Sequence, residues 1–138
     1  MDITKVIAEL KKEPGFRDNV GMILVHNGVV RAWSRKDRSP VARIEIKVDY
    51  RKLEELRREY ESRPGIFRIL LEAREGCLEA GEDLLFIVVA GDIREHVKPV
   101  LSELLERIKS QAVSKREIKP DKACDLVNCL KKPGNSRN

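Results

Sequence analysis

The run LLFIVVA, residues 84 to 90, is the longest uninterrupted apolar stretch in the chain, and it constrains the fold more than any other segment. It is far shorter than the roughly 20 residues that an α-helix needs to cross a bilayer. Its β-branched and aromatic side chains lack polar alternation, which predicts a strand covered on both faces and central in a sheet. IFRILLEAR, residues 66 to 74, has the same character, and EGCLEAGE joins the two. A parallel pair needs a crossover of about a dozen residues or more. Strands joined this tightly pair antiparallel.

The remaining segments alternate irregularly between helical and extended patterns. Asp2 can cap a helix with Ile3, Val6, Ile7 and Leu10 on one face, closed by Pro14-Gly15. VGMILV at 20 to 25 reads as a strand, His26-Asn27-Gly28 as a turn or bulge, and VVRAW as a further extended segment. After the polar loop RKDRSP, VARIEIKV at 41 to 48 predicts a strand with one wet face. Asp49 then caps a highly charged helix whose narrow apolar face is Leu53, Leu56 and Tyr60. Asp92 offers a cap for a stripe of Val97, Val100, Leu101, Leu104, Leu105 and Ile108, with Pro99 predicting that the regular helix starts near Lys98. VSKREI has strand character, and DKACDLVNCLKK can form a last short helix. The economical architecture is α+β, a mostly antiparallel sheet packed with helices, with one domain over 1–120 and a tail over 121–138 that is a short helix or disordered.

Charge narrows the ligand class. The net charge of +5 arises from 28 basic and 23 acidic residues, and the basic ones cluster. Arg31, Arg35, Lys36 and Arg38 stand together against Asp37 alone, and a second cluster runs from Arg107 to Lys122. Such patches favour an anionic ligand. Aromatic residues are only 4% of the chain, too few to offer many base-stacking platforms, which disfavours nucleic acid. The N-terminal run has charges at Asp2, Lys5, Glu9 and Lys11 and none of the apolar core of a signal peptide, so a cytoplasmic protein without membrane attachment is expected. Cys77, Cys124 and Cys129 make neither an even framework nor a C-x-x-C pair, which predicts reduced thiols.

No P-loop, dinucleotide fingerprint, nucleophile elbow or metal-ligand spacing is present, and no metal is expected. His26 in its turn and His96 near a helix start read as solvated side chains. What remains is a set of cations at element ends: Arg31, Arg94, Lys109 and Lys115. Arginine grips phosphate through its planar fork, and a partly desolvated lysine can lose its proton and act as base or nucleophile. The plain alternative for Lys109 and Lys115 is a solvated helix end followed by a solvated strand start.

The order of segments carries a resemblance. GVVR at 28 to 31, Tyr50 before its helix, AREGCLEAGED at 73 to 83, LLFIVVAGDIREHV at 84 to 97 and IKSQAVSKRE at 108 to 117 stand in sequence. From about Val20 to Glu117 the chain resembles the large, catalytic subunit of molybdopterin synthase, the MoaE family. The resemblance implies an α/β hammerhead fold and sulfur transfer from a thiocarboxylated ubiquitin-like carrier, the MoaD-like small subunit, to cyclic pyranopterin monophosphate. It further implies a homodimer within a heterotetramer, and no cofactor. Lys109 and Lys115 would then supply the chemistry, and Arg31 and Arg94 would hold substrate phosphate or the carrier's terminus. Three positions depart from the family pattern: Ile93 and Ala73 replace histidines, and Ser114 replaces a tryptophan. These departures support the alternative of a catalytically impaired family member that binds or scaffolds a ubiquitin-like sulfur carrier.

Overall fold

The computed structural model describes residues 1–120. Two short helices, α1 (Ile3–Leu10) and α2 (Phe16–Asn19), precede strand β1 (Met22–Val29). Then follow β2 (Arg43–Val48), α3 (Tyr50–Glu61), β3 (Ile66–Ala73), β4 (Gly76–Glu79), β5 (Asp83–Gly91), α4 (Arg94–Arg107), a π-helical segment (Ile108–Ala112) and β6 (Val113–Ile118). The sequence caps act as expected. The Asp2 carboxylate accepts from the Lys5 N–H at 3.2 Å and that of Asp49 from the Lys52 N–H at 3.0 Å, each satisfying a donor that the helix leaves open.

The strands form two antiparallel sheets of three, in the orders β1-β5-β3 and β4-β2-β6. β5 is central, as its apolar run requires, and Leu85 through Gly91 are all buried. β3 lies at an edge of its sheet, which corrects the expectation that both apolar strands are central. The connection between them is not a plain loop, because it carries β4, which crosses to the second sheet and pairs with β2.

One core lies between the first sheet and the long helices, with Leu53, Leu56 and Tyr60 of α3 and Val97, Val100 and Leu104 of α4 packed around Ile69, Leu85, Ile87 and Val89. A second is built from Val30, Val41, Ile44, Ile46 and Leu78. Val48, Leu84 and Val113 pack against both, so the two sheets meet along an apolar seam.

His26, Asn27 and Gly28 form no turn. They stay in the β1 ladder opposite Ile87, Phe86 and Leu85, and the register shifts between Gly28 and Val29, the irregularity that the bulge alternative expected. Neither Asn27 nor Gly28 takes the positive φ that a two-residue hairpin turn demands. The long partner strand holds them extended instead, and the Asn27 amide donates to Asp83 at 3.1 Å. Of the extended segment expected beyond, Val29 closes β1 opposite Asp83, and Trp33 forms an isolated bridge with Pro40.

Helix α4 begins at Arg94, earlier than Pro99 suggests, with Ile93 rather than Asp92 as its cap. Pro99 leaves only the carbonyl four residues back, that of exposed Glu95, without its helical donor, and water can reach it there. Asp92 instead accepts from the Ile93 N–H at 2.6 Å and contacts His96 Nδ1 at 2.8 Å. Gly65, at φ +81°, fits beneath this pair, where a Cβ would strike both side chains.

Cys77 is disulfide-bonded, which corrects the expectation of three reduced thiols. It is buried beside Ile118, the last residue of β6. The other cysteines, Cys124 and Cys129, lie with the expected final helix and tail outside the described residues. Among the described residues no helix is long and apolar enough to cross a membrane.

Candidate functional site: a basic cavity at the seam of two sheets

Where the two sheets meet, an open cavity of ≈1170 Å³ is floored by Ile44, Ile46, Leu84 and Leu85. Its rim is polar and cationic. The basic loop contributes Arg31, Arg35 and Lys36, the π-helical segment Lys109, and β6 Lys115. The only carboxylate among the described lining residues is Glu117. Three of the four sequence-derived candidates, Arg31, Lys109 and Lys115, therefore share one wall-to-wall site.

Local folding explains how they meet. α4 would end as an ordinary helix, but Ile108–Ala112 widens into a π turn closed by the Val113 N–H on the Ile108 carbonyl. The Ala112 carbonyl accepts from the Asp49 N–H at 2.7 Å, which ties this turn to the start of α3. Such single π turns recur at functional sites because they re-aim side chains within an otherwise regular helix. Here Lys109 and Ser110 face the cavity. β6 follows at once, and pairing of Lys115 with Ile46 sets that lysine above the apolar floor.

The lysine at position 115 has its pKa lowered from the ordinary value, first by partial desolvation and then by the charge of Arg31, with smaller contributions from Lys109 and Arg35 opposed by Glu117. Both leading causes disfavour the ammonium form. An amine-reactive acylating reagent at pH 8 should therefore modify Lys115 faster than a free lysine amide. Arg31→Ala should slow that modification, because removing a neighbouring cation raises the pKa. Peptide mass spectrometry reads both rates, and a rate at Lys115 indifferent to Arg31 would contradict the coupling.

Arg94 does not join the group. Its side chain is 77% exposed at the start of α4, where its Nε lies 3.5 Å from Glu95. His96, engaged with Asp92 on that side of the molecule, does not line the cavity either.

Two cavity residues escape a sequence reading. His26, expected in a solvated turn, is half-buried in β1 and faces the cavity. Burial, and then the charge of Lys109, hold its pKa below the ordinary histidine value. Trp33 lines the same space, with the guanidinium groups of Arg31 and Arg38 at 4.9 and 4.0 Å from its ring centroid. The loop that carries it is pinned by the Ser34 N–H on the Ser39 carbonyl at 2.8 Å and the Val41 N–H on the Ala32 carbonyl at 2.9 Å. Neither residue has a local motif. The alternation that places His26 and Gly28 on one face was the signal available for the histidine.

An apolar floor with a cationic rim and an aromatic side chain suits a flat, anionic ligand. Among the described residues no cluster of three or more His, Cys, Asp or Glu side chains is placed to hold a metal ion.

Comparison with known proteins gives the family and the fold. A probable molybdopterin synthase of Haloferax volcanii is 27% identical over 122 residues, covering 85% of this chain. The chain spans about half the length of that relative, 47%. Molybdopterin synthase from Staphylococcus aureus superposes with a TM-score of 0.64 at 24% identity, over 74% of this chain and 77% of the other. The MoaE protein from Burkholderia ambifaria gives 0.65 at 17% identity, over 96% and 93%. The complex of subunits 1 and 2 of the molybdopterin-converting factor from Helicobacter pylori gives 0.63 at 16% identity, over 89% and 86%. These structures share the α+β fold with its antiparallel sheets. The family model for the MoaE protein matches residues 1–111, most of the chain and all of the elements that build the cavity except β6, and the chain belongs to that family.

Proposed function

We propose that this chain is the sulfur-accepting large subunit of a molybdopterin synthase, acting in molybdenum cofactor biosynthesis in the cytoplasm. It would take sulfur from the C-terminal thiocarboxylate of a small ubiquitin-like carrier and place it on cyclic pyranopterin monophosphate. The observation that carries this reading is the convergence of Arg31, Lys109 and Lys115 on one cavity in a chain of this family. The substrate phosphate and the thiocarboxylate are both anions, and cations fixed around a partly apolar cavity hold them more strongly than the same cations in open water. Arg31 binds the phosphate or the carrier's terminus, and the two lysines move protons or form a covalent intermediate at the sulfur-receiving carbons. Trp33 offers the pterin an aromatic face on the loop, where Ser114 leaves β6 without one.

Exposed on α4, Arg94 reaches a cavity only if a second subunit presents it. It is assigned a substrate-binding role in a homodimer of large subunits within a heterotetramer. The departures at Ile93 and Ser114 keep a second reading in view, in which the chain binds the carrier without turning over.

One reconstitution separates the two. The full chain, a thiocarboxylated carrier and cyclic pyranopterin monophosphate are mixed, and dithiolene product is measured alongside the emission of Trp33, the chain's one tryptophan. Saturable quenching together with product supports the enzyme. Carrier binding without product supports the scaffold.

A further inference from the structure

We propose that Glu59 and Arg107 are positioning residues for Lys109: with the Asp49 backbone they clamp the π turn to both ends of α3, and the clamp fixes where that lysine enters the cavity. The inference deepens the sulfur-transfer reading and rests on it for what Lys109 does there.

A π turn needs a cause outside itself, because its wide ring is rarely adopted in a regular helix. In the ordinary register the Ile108 carbonyl would accept from the N–H four residues on, that of Ala112. Here it accepts from the Val113 N–H instead. The turn thereby holds one residue more than an α turn, and Lys109 and Ser110 reach the cavity wall. Nothing in the segment IKSQA demands this, since it contains neither proline nor glycine. Contacts at its ends supply the cause.

Helix α3 holds both ends. At the far end the Asp49 N–H donates to the Ala112 carbonyl at 2.7 Å. At the near end Arg107 donates from Nη1 to Glu59 Oε2 at 2.5 Å, and its Nη2 reaches across the turn to Gln111 Oε1 at 3.4 Å. The same guanidinium lies 5.7 Å from the ring centroid of Tyr60, which is buried in the main core. Asp49 caps α3 and Glu59 stands in its last turn, so the two tethers grip points about 15 Å apart along the helix axis. A single bond at Ala112 would leave the turn free to pivot about it. The second, at Arg107, removes the pivot.

The side chains of Arg107 and Glu59 are 32% and 48% exposed. Ion pairs in such settings add little to global stability, because water screens them and two long side chains lose rotamer freedom. Placement is a different matter, since a displacement of about 1 Å at a reacting group can cost up to about 10²-fold in rate. Kinetics therefore reads this clamp more sensitively than unfolding does.

Two measurements on the full chain test it, in Arg107→Met, in Glu59→Ala and in the double variant. Arg58→Met is the control, because Arg58 pairs with Glu54 on the same helix and is 75% exposed. The first measurement needs no substrate: amide hydrogen exchange, followed by NMR, at Val113, whose N–H closes the turn. Exchange about two- to fivefold faster is expected in both single variants, with no change in Arg58→Met. Unchanged exchange in Arg107→Met, or equal acceleration in Arg58→Met, overturns the proposal. The second is single-turnover sulfur transfer. A rate about tenfold lower is expected in either single variant, at unchanged substrate affinity and an unchanged urea midpoint, and the double variant should be no slower than the slower single one. Losses that multiply in the double variant, losses that track a lowered urea midpoint, or a wild-type rate despite faster exchange overturn the proposal. If exchange responds while the wild type makes no product, the clamp stands and the sulfur-transfer reading is what fails.

Discussion

Lys109→Ala is expected to lower the single-turnover rate of sulfur transfer by at least about 10²-fold while leaving substrate affinity within a few-fold of wild type. The ammonium is one of five cations around the cavity, so its loss weakens ground-state anion binding only partly. Its place in the π turn at the cavity rim is not duplicated by any other described lysine, so the expected loss in the chemical step is much larger. A rapid-quench assay of dithiolene formation, paired with titration of Trp33 emission, separates the two effects. A variant that transfers sulfur at the wild-type rate would remove Lys109 from the mechanism. One that binds about a hundredfold more weakly at an unchanged rate would reassign it to substrate binding.

Ile87→Ala is expected to cost about 2–5 kcal/mol of stability, the range for truncating a large buried aliphatic side chain. Ile87 has no exposed surface, lies in the main core, and pairs with His26 on one side and Leu71 on the other. Truncation leaves a void between the sheet and the helices that two flanking ladders prevent from collapsing. Urea unfolding reads the loss as a lowered midpoint at constant slope. A change below about 1 kcal/mol would mean that the centre of β5 is not the keystone of this core.

The sequence foretold those parts of the fold whose cause is local. LLFIVVA announces a doubly covered strand because no polar residue interrupts it, and Asp2 and Asp49 announce helix starts because their carboxylates satisfy open N–H groups. Tertiary pairing decided the rest. His26-Asn27-Gly28 has turn composition, yet β5 extends far enough to keep it in the ladder. Pro99 suggests a late helix start, yet so near the N-terminus it leaves a single carbonyl without its donor. β3 looks central by composition and is an edge, because the chain leaves it through β4 into the second sheet.

Site residues followed the same division. Arg31, Lys109 and Lys115 stood out as cations at element ends, and the seam between the sheets gathers all three. Arg94 stood out for the same reason and lies elsewhere in this chain. His26 and Trp33 were missed because their place in the cavity depends on which wall they face. That follows from the sheet register in one case and from loop closure between Trp33 and Pro40 in the other.

The central claim is that the basic cavity receives the carrier's thiocarboxylate terminus. A crystal structure of this chain with a small ubiquitin-like carrier ending in Gly-Gly tests it most directly. The predicted result is an extended C-terminal tail whose terminal carboxylate lies in the cavity within hydrogen-bonding reach of Lys109 or Lys115, with Arg31 beside it. A carrier tail seated elsewhere, such as the groove between Asn19, Phe67 and Asp92, would contradict it.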